Sequence, residues 1–559
     1  MQIFLQVTAI FLGKIMTWKQ ISELKSILAK EKGYSIKGGR FKVALTYPNF
    51  YHVGMSNLGL HIIYQMLNSR AEISCERFFL PNEKIIAEIE RANSSLLSVE
   101  TQTPLNNFNV VAFSISFEQD YFNVVKILKL GKIPLLATAR TKFDPILIAG
   151  GPCATFNPAP LSKIFDAFVI GEAEVILPKL FDVLTAEENI SRADLLQKIS
   201  EVQGVYVPAA TKNFPVTRQF VQNLDDYPAH SVIITDDTEF NMYLLETARG
   251  CGRHCRFCMA GYCFRRPRNR ALKTLQAAVD DAKNFGKKFG LMGAAISDYP
   301  QINELCKFIL DNNLKMSVAS FRADSVTAEL VDALAKSGLK TLTIAPEVGS
   351  EKMRRVTNKG ITEENVFNAV KLGIDAGIKN FKLYFMIGLP FEEMSDVDAI
   401  AELVIKLKNF VPDCKFTLSV NPFIPKPFTP FQWAAMADKK YLNAALKNLR
   451  GKLKKFRDVE IISESLKAAK IQAILSRGDE NLAEIVAQSD SPQKFLELFK
   501  AANLDENFYL GERNFDEVFA WEILNQGVTK NYLWQEFQRA KELKYTPRCF
   551  DGCKLCGIC

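Results

Sequence analysis

The chain has 559 residues, 48% of them apolar and 24% charged; these are the proportions of an ordinary globular protein, which excludes wholesale disorder and leaves room for about three domains, each with its own core. Seventy Lys and Arg against 62 Asp and Glu give a net charge of +8, which permits a nucleic-acid partner without requiring one. Twelve cysteines are too sparse for a disulfide scaffold, and two tight groups of them read as metal or cluster ligands in a reducing compartment.

Residues 1–40 form an N-terminal segment that opens on MQIFLQVTAIFLGKIM. Its apolar run lacks a basic start and a small-residue cleavage site and is too short to span a bilayer, so Met16 is read as the true start. The expectation is a cytoplasmic protein with no membrane contact. From 41 to 185, short β-branched runs at Phe41–Leu45, Val110–Ser114, Ile146–Ala149 and Ala167–Ile170 alternate with amphipathic stretches such as Leu60–Leu67 and Tyr121–Leu128. That spacing predicts a Rossmann-like, doubly wound α/β sheet, whose strand ends bind ligands.

A linker region covers 186–238. Between 239 and 438 six strands are predicted, at Tyr243–Thr247, Gly290–Ala294, Lys315–Ala319, Thr341–Ala345, Phe381–Ile387 and Lys415–Val420. Helical patterns separate most of them, which predicts a partial (β/α)6 barrel of TIM type with every carboxyl strand end on one face. Residues 439–548 read as a helical C-terminal extension, and 549–559 as a cysteine-rich metal or cluster segment.

The first cysteine group, Cys251, Cys255 and Cys258, has the spacing C-x3-C-x2-C where the first barrel strand runs into a loop. Three thiolates on one loop can hold three irons of a [4Fe–4S] cluster and leave the fourth open. Spacing alone also admits zinc, with Cys263 or His254 as a fourth ligand. The loop's position and the aromatic Phe257 before the third cysteine resemble the radical S-adenosylmethionine (SAM) superfamily. The resemblance implies that Cys251, Cys255 and Cys258 ligate a [4Fe–4S] cluster, that SAM chelates the open iron, and that its reductive cleavage yields a 5′-deoxyadenosyl radical.

Further positions match that family's strand-end pattern, and the resemblance implies cofactor contacts there. They are Gly293 and Ala294 after the second strand, where the family's Glu is missing, then Ser320 and Arg322 after the third. Glu347 follows the fourth, and Gly388 and Pro390 follow the fifth. The N-terminal domain resembles the cobalamin-binding module of many such enzymes, through Gly150-Gly151-Pro152 and the run from Asp166 to Gly171-Glu172-Ala-Glu174. The family's lower-ligand loop is matched by His52 alone: its Asp is absent and Gly54 lies one residue too near, which leaves cobalamin open and doubtful.

Cys549, Cys553, Cys556 and Cys559, spaced C-x3-C-x2-C-x2-C, suit a second [4Fe–4S] cluster or a zinc site. Arg265, Arg266, Arg268 and Arg270, just past the first group, are candidates to grip phosphate or carboxylate. The expected function is a radical SAM enzyme modifying RNA or protein by methylation or methylthiolation, served by a flavodoxin- or ferredoxin-type reductant. The alternatives are a radical SAM enzyme acting on a small metabolite and a non-catalytic iron–sulfur protein.

Overall fold

The computed structural model describes residues 18–186, 190–210, 214–228, 230–550 and 552–558; the reading of Met16 and of Cys559 lies outside them. The N-terminal sheet contains β1 (Phe41–Tyr47), β2 (Ile73–Phe79), β3 (Val110–Ser114), β4 (Ile146–Gly150), β5 (Ala167–Val169) and β6 (Val205–Tyr206), in the order β2-β1-β3-β4-β5-β6. The first five are parallel and β6 runs antiparallel to β5. Strand side chains alternate between faces. Val43, Leu45, Val110 and Ile148 accordingly pack with helices Leu58–Asn68 and Ala173–Ala186, while Ala44, Val111, Phe113 and Leu147 enter a core on the opposite face.

Strand β2 escapes sequence patterning because its charges point inward. Arg77 is fully buried, with Nη2 2.6 Å from Glu31 and Nε 2.7 Å from Glu100. Buried charge is tolerated only when paired in this way.

Seven parallel strands in sequential order make the second unit: Met242–Glu246, Lys288–Met292, Met316–Ser317, Thr341–Glu347, Asn380–Ile387, Lys415–Pro422 and Val459–Ile462. A bridge between Phe321 and Ile344 joins the first three to the last four. Among the described residues the first and seventh strands do not pair, so the barrel stays open. The seventh strand corrects the expectation of a strand-poor stretch from 439: helix Lys439–Leu453 serves as one more crossover. Leu383, Phe385, Leu418 and Val420 bury against the surrounding helices. Their alternates Lys382, Tyr384, Met386, Thr417 and Asn421 are half-buried and face the lumen.

The helices after the seventh strand are not an appendage. Ile474, Leu482, Phe495, Trp521 and Phe537 share one apolar core with Phe113 and Phe168 of the N-terminal sheet and with Tyr262 and Cys263 beside the cysteine loop. Arg477, also buried, donates to the backbone carbonyls of Gln432, Ala434, Tyr509 and Gly511, tying the loop after the sixth strand to the helical region.

Candidate active site

The cysteine loop begins where the first barrel strand ends. Gly250 turns the chain at φ +84°, and a Cβ there would lie 2.1 Å from the Phe264 carbonyl, so no side chain fits. Beyond it, Cys255 lies close enough to disfavour ionisation of Cys251 and of Cys258, and Cys251 adds to the effect on Cys258. Burial and those neighbours push Cys258 up to about 12, and the same causes raise Cys251. The bare Cys251 and Cys258 thiols hold their protons; metal binding must release them. Counter-charge is supplied nearby: Arg322 Nη1 is 3.7 Å from Cys255 Sγ, and the Arg253 backbone N–H donates to Cys251 Sγ at 3.4 Å.

Among the described residues no three Cys, His, Asp or Glu side chains converge to hold a single metal ion. Four ligands of one zinc crowd around a 2.3 Å Zn–S bond, whereas the thiolates of a four-iron cube stand further apart. The donor set therefore fits a cluster: three mutually interacting thiols on one loop, flanked by cationic and N–H donors.

Arg322, expected at the cofactor, is buried and spans several groups. It pairs with Asp324 at 3.0 Å and donates to the Lys359 carbonyl at 2.6 Å, besides facing Cys255. Glu347 stands at φ +68°, an uncommon setting for a non-glycine residue, and its carboxylate accepts from Lys359 Nζ at 2.9 Å. Gly388, at φ +75°, donates its N–H to Glu392 at 2.6 Å; burial lifts that carboxyl to about 7. Ser320 and Pro390 are half-buried beside these groups, while Gly293 and Ala294 lie exposed past the second strand. Phe257 packs on the apolar core.

The arginine-rich stretch is a correction. Arg265, Arg268 and Arg270 are buried and only Arg266 is exposed. Arg268 pairs with Glu172 at 2.7 Å and Arg270 with Glu246 at 2.5 Å. Arg249 reaches Glu172 at 3.0 Å, Glu174 at 2.7 Å and Glu246 at 2.9 Å. The Gly-Glu-x-Glu motif after β5 thus bolts the sheet to the barrel, and these arginines have no free face for phosphate.

That contact defines the site's overall shape. The end of β5 meets the loop after the first barrel strand through Glu172 and Arg249. The end of β3 meets the loop after the sixth, where Lys426 donates to Glu118. The carboxyl edges of both sheets therefore face one another. The parallel order 2-1-3-4-5 places the sheet's ligand crevice between β1 and β3. There Asn49 donates to Asp120 at 2.9 Å and Asn57 to Ser116 at 3.3 Å. His52 is exposed and stacks on Phe50.

Several groups at the site carry no family spacing and were invisible in the sequence: Arg256, Lys359, Asn358 and Glu536; His254 was marked there only as an alternative zinc ligand. Arg256 pairs with Glu536 at 3.1 Å, and Asn358 donates to the His254 carbonyl at 3.1 Å. Only their place inside or opposite the cysteine loop could have marked them.

Comparison with known proteins decides the family. The family model for the radical SAM superfamily matches residues 245–404, and the model for the N-terminal region of radical SAM proteins matches residues 59–208. The chain belongs to the radical SAM superfamily. It is a radical SAM enzyme, of a family that uses a [4Fe–4S] cluster and SAM. An uncharacterized protein of Methanocaldococcus jannaschii is 32% identical to it, over 86% of this chain and 97% of that one. An uncharacterized methyltransferase of Pyrococcus horikoshii is 25% identical, over 47% of this chain and 58% of its own length. Among solved structures, the radical SAM methyltransferase TsrM of Kitasatospora setae, with cobalamin and a [4Fe–4S] cluster bound, superposes with a TM-score of 0.52. At 13% identity, covering 83% of this chain and 100% of that one, the likeness shows a shared fold. Among the described residues, no helix of this radical SAM enzyme is long and apolar enough to cross a membrane.

Proposed function

We propose that this radical SAM enzyme transfers a methyl group from SAM to its substrate, with cobalamin held on the N-terminal sheet as methyl carrier. The observation that carries the reading is the facing of the two carboxyl edges, bolted by Glu172–Arg249 and Glu118–Lys426. It puts whatever the sheet binds opposite whatever the cysteine loop binds.

The residues fit both groups. Cys251, Cys255 and Cys258 would hold the cluster, and with SAM bound that cluster supplies one-electron cleavage of the sulfonium. On the sheet, an apolar slot is lined by Ser114, Gly150 and Gly171 at the carboxyl ends of β3, β4 and β5. A Cβ on Gly150 would meet only Val169 and the Phe113 carbonyl, at 3.8 and 4.0 Å, so packing does not demand glycine there; its absence of side chain keeps the slot open. His52 offers an exposed imidazole at the same edge. TsrM is a methyltransferase and the Pyrococcus relative an uncharacterized one, which supports this reading.

The chain's own residues orient and shield. Arg322 and the Arg253 N–H stabilise thiolate charge at the loop. Glu347 and its partner Lys359 sit at the fourth strand end and would offer their charges to the polar groups of SAM. Arg249, with its three carboxylates, fixes the exit of the first strand. Buried arginines withdraw the argument for RNA from residues 265–270, and the half-buried polar row Lys382, Tyr384, Thr417 and Asn421 supports a compact polar substrate within the barrel. The setting is a reducing cytoplasm with a flavodoxin- or ferredoxin-type electron donor.

The test is anaerobic reconstitution of the full chain with SAM and a chemical reductant, with and without hydroxocobalamin. The expected result is retained cobalamin and S-adenosylhomocysteine that depends on it. Formation of 5′-deoxyadenosine alone, with no cobalamin retained after gel filtration, would sink the methyl-transfer reading.

A further inference from the structure

The segment that begins at Cys549 returns to the back of the cysteine loop. The Cys549 backbone N–H donates to the Gly252 carbonyl at 2.8 Å, inside the run Cys251–Cys258. Cys553 and Cys556 are 4% and 3% exposed although they lie in a short irregular stretch. Ile558 packs over Gly527, and the Cys556 carbonyl accepts from Thr529. A stretch without regular structure that buries its thiols and is pinned on both sides is a built site rather than a loose end.

Two groups, one in the first loop and one just past it, are aimed at it. His254 Nε2 lies 3.4 Å from Cys549 Sγ. Its Nδ1 is 3.2 Å from Arg265 Nη1 and 2.5 Å from the Tyr532 hydroxyl. A guanidinium can only donate, so Nδ1 accepts, the ring proton sits on Nε2, and that N–H points at the Cys549 sulfur. Arg265 is the second. It is 1% exposed, its hydrogen bonds go to the carbonyls of Gly261 and Arg253 and to His254, and among the described residues no carboxylate pairs with it. Its guanidinium also lies over the Tyr262 ring, 4.9 Å from the centroid, and a cation held among neutral acceptors favours an anionic group placed beside it. The groups whose charge it senses include Cys549 and Cys556.

We propose that Cys549, Cys553 and Cys556 ligate a second iron–sulfur cluster, seated behind the SAM-cleaving loop, with His254 donating its Nε2–H to the Cys549 thiolate and Arg265 balancing the charge. His254 is a positioning and tuning residue: it lies in one cluster's loop and touches a ligand of the other. Hydrogen bonds to cluster sulfurs set reduction potential, and an N–H donor favours the more negative, reduced state. The cluster accepts one electron from a low-potential one-electron donor, and no bond is made or broken.

The experiment is iron, sulfide and zinc analysis of anaerobically reconstituted full-length protein, with redox titration followed by electron paramagnetic resonance. Wild type should hold about eight irons, two four-iron clusters. The triple variant Cys251→Ser, Cys255→Ser, Cys258→Ser should keep half of that iron, and Cys553→Ser with Cys556→Ser the other half. In the triple-variant background, where only the second cluster remains, His254→Leu should lower its potential, and His254→Gln, which keeps an N–H, should restore part of the shift. Iron-free triple variant, or four irons plus one zinc in wild type, would overturn the cluster. An unmoved potential in His254→Leu would overturn the role of His254. None of these readouts depends on methyl transfer.

Discussion

At the scale of single residues, the chemistry rests on charge placed against sulfur. Arg322 faces Cys255 at 3.7 Å, and Asp324, its acid partner, is shared with Arg253 at 2.8 Å. Removing the guanidinium therefore leaves no orphaned carboxylate, which makes the substitution clean. A charged hydrogen bond is worth about 1.5 kcal/mol at the weak end, so Arg322→Gln should lower the potential of the Cys251–Cys258 cluster by about 60 mV, roughly tenfold in the reduced fraction. Redox titration of the Cys553→Ser, Cys556→Ser protein with and without Arg322→Gln checks this; equal potentials would contradict it. Spacing marked the cysteines as ligands, and their place after the first barrel strand chose a cluster over the zinc that spacing alone also admits. It misled for Arg268 and Arg270, since a run of arginines looks alike whether it faces water or pairs with Glu172 and Glu246; the deciding glutamates lie outside the run.

At the scale of elements, periodicity exposed the strands whose neighbours are apolar and hid β2, where Glu76 and Arg77 break the alternation yet are buried. Hidden polar groups also set the stability of helix Leu58–Asn68. His61 Nε2 lies 3.0 Å from the Met55 carbonyl, and Nδ1 lies 3.3 Å from the Ile233 N–H, so the neutral ring satisfies both and clasps the helix to the linker. Burial lowers its pKa to about 4, against about 6.5 in the unfolded chain. Because the folded value is depressed, the unfolded state takes up the proton first. Stability is full above pH 6.5 and falls as pH drops toward 4, by about 3 kcal/mol. Urea midpoints between pH 7 and 4.5 should show this slope in wild type and a shallower one in His61→Gln. Parallel curves would remove His61 from the account.

At the scale of the whole molecule, the division into sheet, barrel and helical extension was readable, but the way they join was not. Apolar residues say that a helix packs; they do not say on what. Here the helices beyond the seventh strand cover the N-terminal sheet and support the cysteine loop from behind. Arg256, buried in that loop, pairs with Glu536 of helix Lys530–Lys541 and donates to the Lys544 carbonyl at 2.7 Å. Glu536 in turn accepts from the Thr546 hydroxyl at 2.7 Å. Breaking a buried pair by removing one charge costs about 3–5 kcal/mol. Glu536→Gln should lower the urea midpoint accordingly and reduce the iron retained after gel filtration of reconstituted protein, though it lies outside every ligand set. Unchanged iron retention would mean that the loop holds its shape without this support.

The Arg256–Glu536 pair also has a consequence for biosynthesis. Its two members are 280 residues apart in sequence, and chains fold from the N-terminus as they are made. The first cysteine loop therefore emerges from the ribosome long before the helix that braces it. Until translation has passed Thr546, the loop lacks its partner and its thiols lie open to stray metals and oxidants. Loading of iron belongs after that moment, once the brace is in place.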